Sequence, residues 1–205
     1  MNHDTYEVKE NRPQERYEWD RTWIEQTGVT DRPRCFYLGD SISWAVRPVT
    51  NRMIGDRVLF DALGTSKALD NPFLRPTIDL FREQIQTPSL VILNSGLHGW
   101  HLSDDEDYPS ELKSMLLFLQ SRFPQIPLAV VLTTRVANPE RQARVLLRNE
   151  AARRVAAELS LPVIDLYSPS EVADLQTDGV HFNDEGYGVL AKALAENVLS
   201  LLSLS

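Results

Sequence analysis

Three residues of this chain have the types and spacing to make a weak nucleophile reactive: Ser41, Asp178 and His181. A serine hydroxyl attacks a carbonyl only when an imidazole takes its proton, and a carboxylate must hold that imidazole in the right tautomer and orientation. Asp178 and His181 stand three positions apart in Thr177-Asp178-Gly179-Val180-His181-Phe182-Asn183, so one short turn can present carboxylate and ring together. Ser41 lies in Phe36-Tyr37-Leu38-Gly39-Asp40-Ser41-Ile42-Ser43-Trp44, where an apolar run enters Gly-Asp-Ser. Taken singly, each has a plainer use: Gly-Asp-Ser and Asp178 as turn formers, His181 as a surface histidine. Taken together they point to acyl transfer through a covalent intermediate.

These residues need a scaffold that brings positions 41 and 181 together. From Arg34 onward, short apolar runs alternate with helical stretches, the signature of an α/β domain with a parallel sheet. Strands are predicted at 35–38, 58–62, 90–94, 128–133 and 163–166, and helices at 72–85, 108–122, 139–159 and 184–202. The strands read as apolar throughout, as parallel strands covered on both faces do. In such a sheet the residues just past a strand's carboxyl end line the ligand crevice, which is where Ser41 falls. A helix starting just after Ser41 would aim its N–H groups at an oxyanion forming there. Residues 1–33 are polar and carry Pro13 and Pro33, and read as an N-terminal extension to a catalytic domain at 34–205. Tyr17, Trp19, Trp23 and Ile24 suggest an amphipathic helix within it.

The Gly-Asp-Ser block after the first strand and the Asp-x-x-His block before the last helix resemble the GDSL, or SGNH, hydrolase family, over residues from about 35 to 202. The resemblance implies a flavodoxin-like three-layer α/β/α sandwich with a five-stranded parallel sheet. It implies esterase, lipase, thioesterase or carbohydrate-deacetylase chemistry without a metal or organic cofactor. It makes Ser41 the nucleophile, His181 the base and Asp178 its orienting carboxylate. The family's oxyanion glycine falls on Gly64 in Asp61-Ala62-Leu63-Gly64-Thr65-Ser66, and the oxyanion hole would comprise the N–H groups of Ser41 and Gly64 with His98. His98 enters because Gly96-Leu97-His98-Gly99 stands where the family carries Gly-x-Asn-Asp; an imidazole N–H can donate in place of the asparagine. Asn94 is the rival donor, and His98 as a substrate contact is the rival role.

The composition narrows the alternatives. A formal net charge of −8 opposes phosphate backbones and anionic lipid, so neither nucleic acid nor a membrane surface is expected as a partner. The single cysteine, Cys35, rules out an intramolecular disulfide and a multi-cysteine metal site. The first residues have no basic segment followed by an apolar one, and the chain reads as cytoplasmic. The arginines of the 139–159 helix read as a solvated face, and Asp104, Asp105, Glu106 and Asp107 as a solvated loop. Arg47, Thr133, Thr134 and Arg135 belong near the same sheet edge, with surface ion pairing the ordinary use of the arginines. The expected substrate is a small-molecule ester with a short acyl or acetyl group, carbohydrate being one candidate alcohol. The competing expectation is a non-catalytic protein of the same fold that recognises an acylated ligand.

Overall fold

The structure is a computed structural model and describes residues 13–204. In chain order the elements are β1 (Asp20–Trp23), β2 (Arg34–Gly39), α1 (Ser41–Ile54), β3 (Leu59–Thr65), α2 (Leu74–Arg82) and β4 (Leu90–Asn94). Then follow α3 (Asp107–Arg122), β5 (Leu128–Val131), α4 (Pro139–Glu158), β6 (Val163–Ile164), α5 (Tyr167–Ser170) and α6 (Asp184–Leu201). The strands form one sheet in the order β1-β3-β2-β4-β5-β6. Strands β2 to β6 pair in parallel, and β1 pairs antiparallel with β3. Without β1 this is the flavodoxin-like doubly wound order, in which chain direction across the sheet reverses between β2 and β4 and leaves a crevice beyond their carboxyl ends.

The five expected parallel strands are present, and a sixth has joined them. Residues 20–23 form the edge strand β1, where the sequence suggested a helix. Trp19, Arg21 and Trp23 alternate with period two, so a strand places all three on one face, which a helix would not do. A buried ion pair ties this segment down: the Arg34 guanidinium bonds Asp61 twice, at 2.8 and 2.9 Å, and donates to the carbonyls of Glu25 and Val29.

The pleat divides the core into two layers. Cys35 and Tyr37 of β2 and Leu90 and Ile92 of β4 pack with Val46 of α1 and Leu190, Leu194 and Val198 of α6. Phe36, Leu38, Val91 and Leu93 face Ile78 of α2, Met115 and Leu119 of α3 and Val155 of α4. Burial of Cys35 pushes its thiol well above the ordinary range, which keeps it an inert apolar filler. Among the described residues, no helix is long and apolar enough to cross a membrane.

Candidate active site

The chain turns from β2 into α1 within two residues. Asp40 caps the helix, its Oδ1 accepting from the N–H groups of Ile42 at 2.9 Å and Ser43 at 3.2 Å. Ser41 is thus the first helical residue, with its own N–H at the exposed positive end of α1. The turn is so tight that a Cβ on Gly39 would stand 2.1 Å from Ser43 Oγ, so only glycine fits.

On the other side of the crevice, the loop before α6 presents its carboxylate and ring together. Asp178 Oδ1 accepts from Val180 N–H and His181 N–H, each at 2.9 Å, closing a turn that lays Oδ2 2.8 Å from His181 Nδ1. His181 Nε2 lies 2.8 Å from Ser41 Oγ. Burial pushes the Asp178 carboxyl up, but the two N–H groups and the imidazole outweigh it and hold it well below the usual carboxylate range. An ionised Asp178 can only accept, so Nδ1 carries the ring's proton and Nε2 is left to receive one from Ser41. Backbone bonds fix the loop: Gln176 N–H donates to His181 O and Ala137 N–H to Gly179 O, both at 2.7 Å. Asn183 caps α6 immediately after. Hydrogen bonds therefore join Asp178, His181 and Ser41 in the order that activates a serine.

His98 lies on the loop after β4, its Nδ1 2.7 Å from Glu15 Oε1 and its ring edge-on to Trp19. With Nδ1–H turned to a carboxylate, Nε2 can donate only when the ring carries both protons, a stricter condition than a neutral ring donor implies. Asn94, the rival donor, is committed to the scaffold: its Nδ2 donates to Val131 O at 3.1 Å and its Oδ1 accepts from Ser43 Oγ at 3.4 Å.

Gly64 lies inside β3, not on the loop beyond it, in register with Gly39 on one side and Arg21 on the other. Ser66 N–H donates to Trp19 O, and alternation along the strand puts Gly64 N–H on the same β1 edge, away from the Ser41 side. The glycine matters there for room: a Cβ would meet Trp44 at 3.0 Å and Trp19 at 3.4 Å. A cavity of about 20 Å³ lies between the Asp40 and His98 loops, with Thr65, Lys67 and Gly96 also in its wall.

Arg144 and Arg148 depart from the reading of a solvated face on α4, whereas Arg153 and Arg154 are exposed as that reading expects. Arg148 is wholly buried between the rings of Trp100 and Tyr108. Its Nε donates to Asp104 at 2.7 Å, and its terminal nitrogens donate to the carbonyls of His98 and Gly99, each at 2.8 Å, and of Gly96 at 3.2 Å. Arg144, one turn away, also bonds Asp104 and the carbonyls of Trp100 and Leu102. Two helix positions thus hold the backbone that carries His98. Burial pushes the Asp104 carboxyl up, but the two arginines outweigh it and keep it ionised below its ordinary range. Of the acidic run, only Asp104 departs from the expected solvated loop, through these pairs; Asp105, Glu106 and Asp107 are exposed, with Asp107 exchanging hydrogen bonds with Ser103 at the start of α3. Arg47 pairs with Glu25 at 3.3 Å, and Arg135 bonds the carbonyls of Ser170 and Ala173. Among the described residues, no cluster of His, Cys, Asp and Glu could hold a metal ion.

Solved structures share this architecture. The chain shares its fold with solved structures of acylhydrolases. It matches a lipase/acylhydrolase from Enterococcus faecalis with a TM-score of 0.63 at 21% identity, over 82% of this chain and 96% of that one. It matches a member of the lipolytic protein G-D-S-L family from Veillonella parvula with a TM-score of 0.64 at 16% identity, over 80% and 96%. An acetyl xylan esterase, AlAXEase, gives a TM-score of 0.61 at 16% identity, over 80% and 99%. No family model and no curated protein matches the sequence. At these identities the likeness fixes the fold, and chemistry must be argued from the site.

Proposed function

We propose that this chain is a serine hydrolase of the GDSL/SGNH type that cleaves small-molecule carboxylic esters, acetyl esters foremost, through an acyl-enzyme. The observation that carries the reading is the pair of 2.8 Å contacts linking Asp178 to His181 and His181 to Ser41. His181 Nε2 takes the proton from Ser41 Oγ as that oxygen bonds to the carbonyl carbon. The tetrahedral intermediate collapses, the ester C–O bond breaks, and His181 returns the proton to the leaving alcohol. Water then repeats the cycle, releasing the acid and restoring Ser41. The developing oxyanion is met by Ser41 N–H and by His98 in its doubly protonated form, with Glu15 as counter-charge. The acylhydrolase and acetyl xylan esterase folds support the reaction class.

Hydrolysis of p-nitrophenyl esters from acetyl to octanoyl tests this. Activity greatest at the acetyl end, abolished by Ser41→Ala and reduced about 10²-fold by His98→Ala, is expected. Wild-type release no faster than that of Ser41→Ala across the series would remove the reading and favour a binding protein.

A further inference from the structure

Strand β1 and helix α1 interleave their side chains in a ladder that the hydrolytic chemistry does not use. Trp19, Arg21 and Trp23 project from one face of β1, and Trp44 and Arg47 from α1, one and two turns beyond Ser41. The Arg21 guanidinium lies 5.4 Å from the Trp19 ring centre and 5.9 Å from that of Trp44. Arg47 lies 5.5 Å from Trp44 and 5.1 Å from Trp23. The order is therefore Trp19, Arg21, Trp44, Arg47, Trp23, and Gly64 beneath it leaves space for both upper indoles.

The two cationic rungs differ in one respect. Arg47 is buried, and its charge is met by Glu25, which also accepts from Trp23 Nε1. Arg21 is exposed and has no carboxylate within ion-pair distance among the described residues; its neighbour Asp20 is taken by Lys67. Arg21 also stands at the active-site end. β1 runs antiparallel, so its first residues lie beside the carboxyl end of β3, with Asp20 opposite Thr65 and Arg21 opposite Gly64. Trp19 touches His98 edge-on at 6.4 Å between ring centres, and Trp44 follows Ser41 by one helical turn. A guanidinium pinned between two indoles is preorganised, having lost its rotamer freedom before any ligand arrives, and it keeps its planar edge for an oxyanion.

We propose that Arg21, flanked by Trp19 and Trp44, is a specificity subsite for an anionic group, a carboxylate or phosphate, on the alcohol part of the ester, with the indoles covering that part's ring or alkyl surface. The inference rests on the hydrolase reading for its position beside Ser41. It gives a chain of net charge −8 a local preference for negatively charged substrates.

The test pairs meta-acetoxybenzoate with the neutral meta-acetoxybenzamide as substrates, and the matching alcohols, meta-hydroxybenzoate and meta-hydroxybenzamide, as ligands followed by quenching of tryptophan emission. Wild type is expected to bind the hydroxybenzoate about three- to tenfold more tightly than the amide, the range of an accessible, stacked ion pair. Arg21→Gln should bring the two affinities together. Added salt should shrink the wild-type preference without any mutation, which guards against a variant that folds poorly. A matching preference in kcat/KM extends it to turnover. Equal affinities in wild type, or a preference that survives both Arg21→Gln and high salt, would overturn the subsite. Failure of wild type to exceed Ser41→Ala on both esters would sink the hydrolase reading instead, and the binding arm separates the two.

Discussion

Two aspartates flank the reactive serine, and their surroundings drive them in opposite directions. Asp178 is held ionised by two N–H groups and an imidazole, whereas Asp40 is pushed up by burial, only partly offset by His98 and by the N–H groups it caps. Asp40 Oδ2 has no partner among the described residues. A carboxyl raised in the folded state destabilises that state once ionised. The cost is absent below the unfolded value, near 3.9, grows as pH rises toward the folded value, and is constant above it. Asp40→Asn keeps an oxygen for the cap and removes the ionisation. Its stability relative to wild type should therefore improve with rising pH from 4 to 7, read as a difference in urea midpoints at the two pH values; a difference that stays flat or reverses would contradict the buried, strained carboxyl. At this scale the sequence was informative where chemistry requires particular residue types. Ser41, Asp178 and His181 could be read because the reaction demands those groups. Glu15 could not be paired with His98, because a contact across 83 positions leaves no local mark.

At the scale of elements, α4 is more than a cover for the sheet. Its Arg148 satisfies carbonyls of Gly96, His98 and Gly99 that would otherwise be buried without donors, and Asp104 supplies the compensating charge. Arg148→Met removes one partner of a buried pair and leaves those carbonyls unmet, at a cost of about 3–5 kcal/mol. Arg153→Ala on the same helix breaks only an exposed pair with Asp165 and should cost no more than about 0.5 kcal/mol. Denaturant midpoints measure both, and equal losses would contradict the loop-holding role. Helical periodicity located α4 but could not tell Arg148 from Arg153, since inward or outward facing depends on what the 95–104 loop offers. Helix α1 escaped a firm assignment because Pro48 lies inside it, where proline usually breaks a helix. Four residues of alternation were too few to identify β1, whose place is set by β3 and by the indoles packed on Gly64.

Across the whole molecule, topology brings residues 140 positions apart into contact. The parallel order places the ends of β2 and β4 on either side of the switch point, so the Ser41 turn and the His98 loop line one crevice, and the loop before α6 completes it. This much followed from the sequence, because apolar runs alternating with helices admit few arrangements and right-handed crossovers remove most of those. The added edge strand was not legible, and it sets Trp19 against His98 and Arg21 opposite Gly64 near the carboxyl end of β3. The proposed chemistry requires that Ser41 become acylated during turnover. Rapid acid quenching of the protein during turnover of p-nitrophenyl acetate, followed by peptide mass analysis, tests it most directly. An acetyl group is expected on the peptide bearing Ser41, absent from Ser41→Ala and persistent when His181→Ala is acylated slowly. Turnover by wild type with an acetyl group on some other residue, or unchanged turnover by Ser41→Ala, would contradict it.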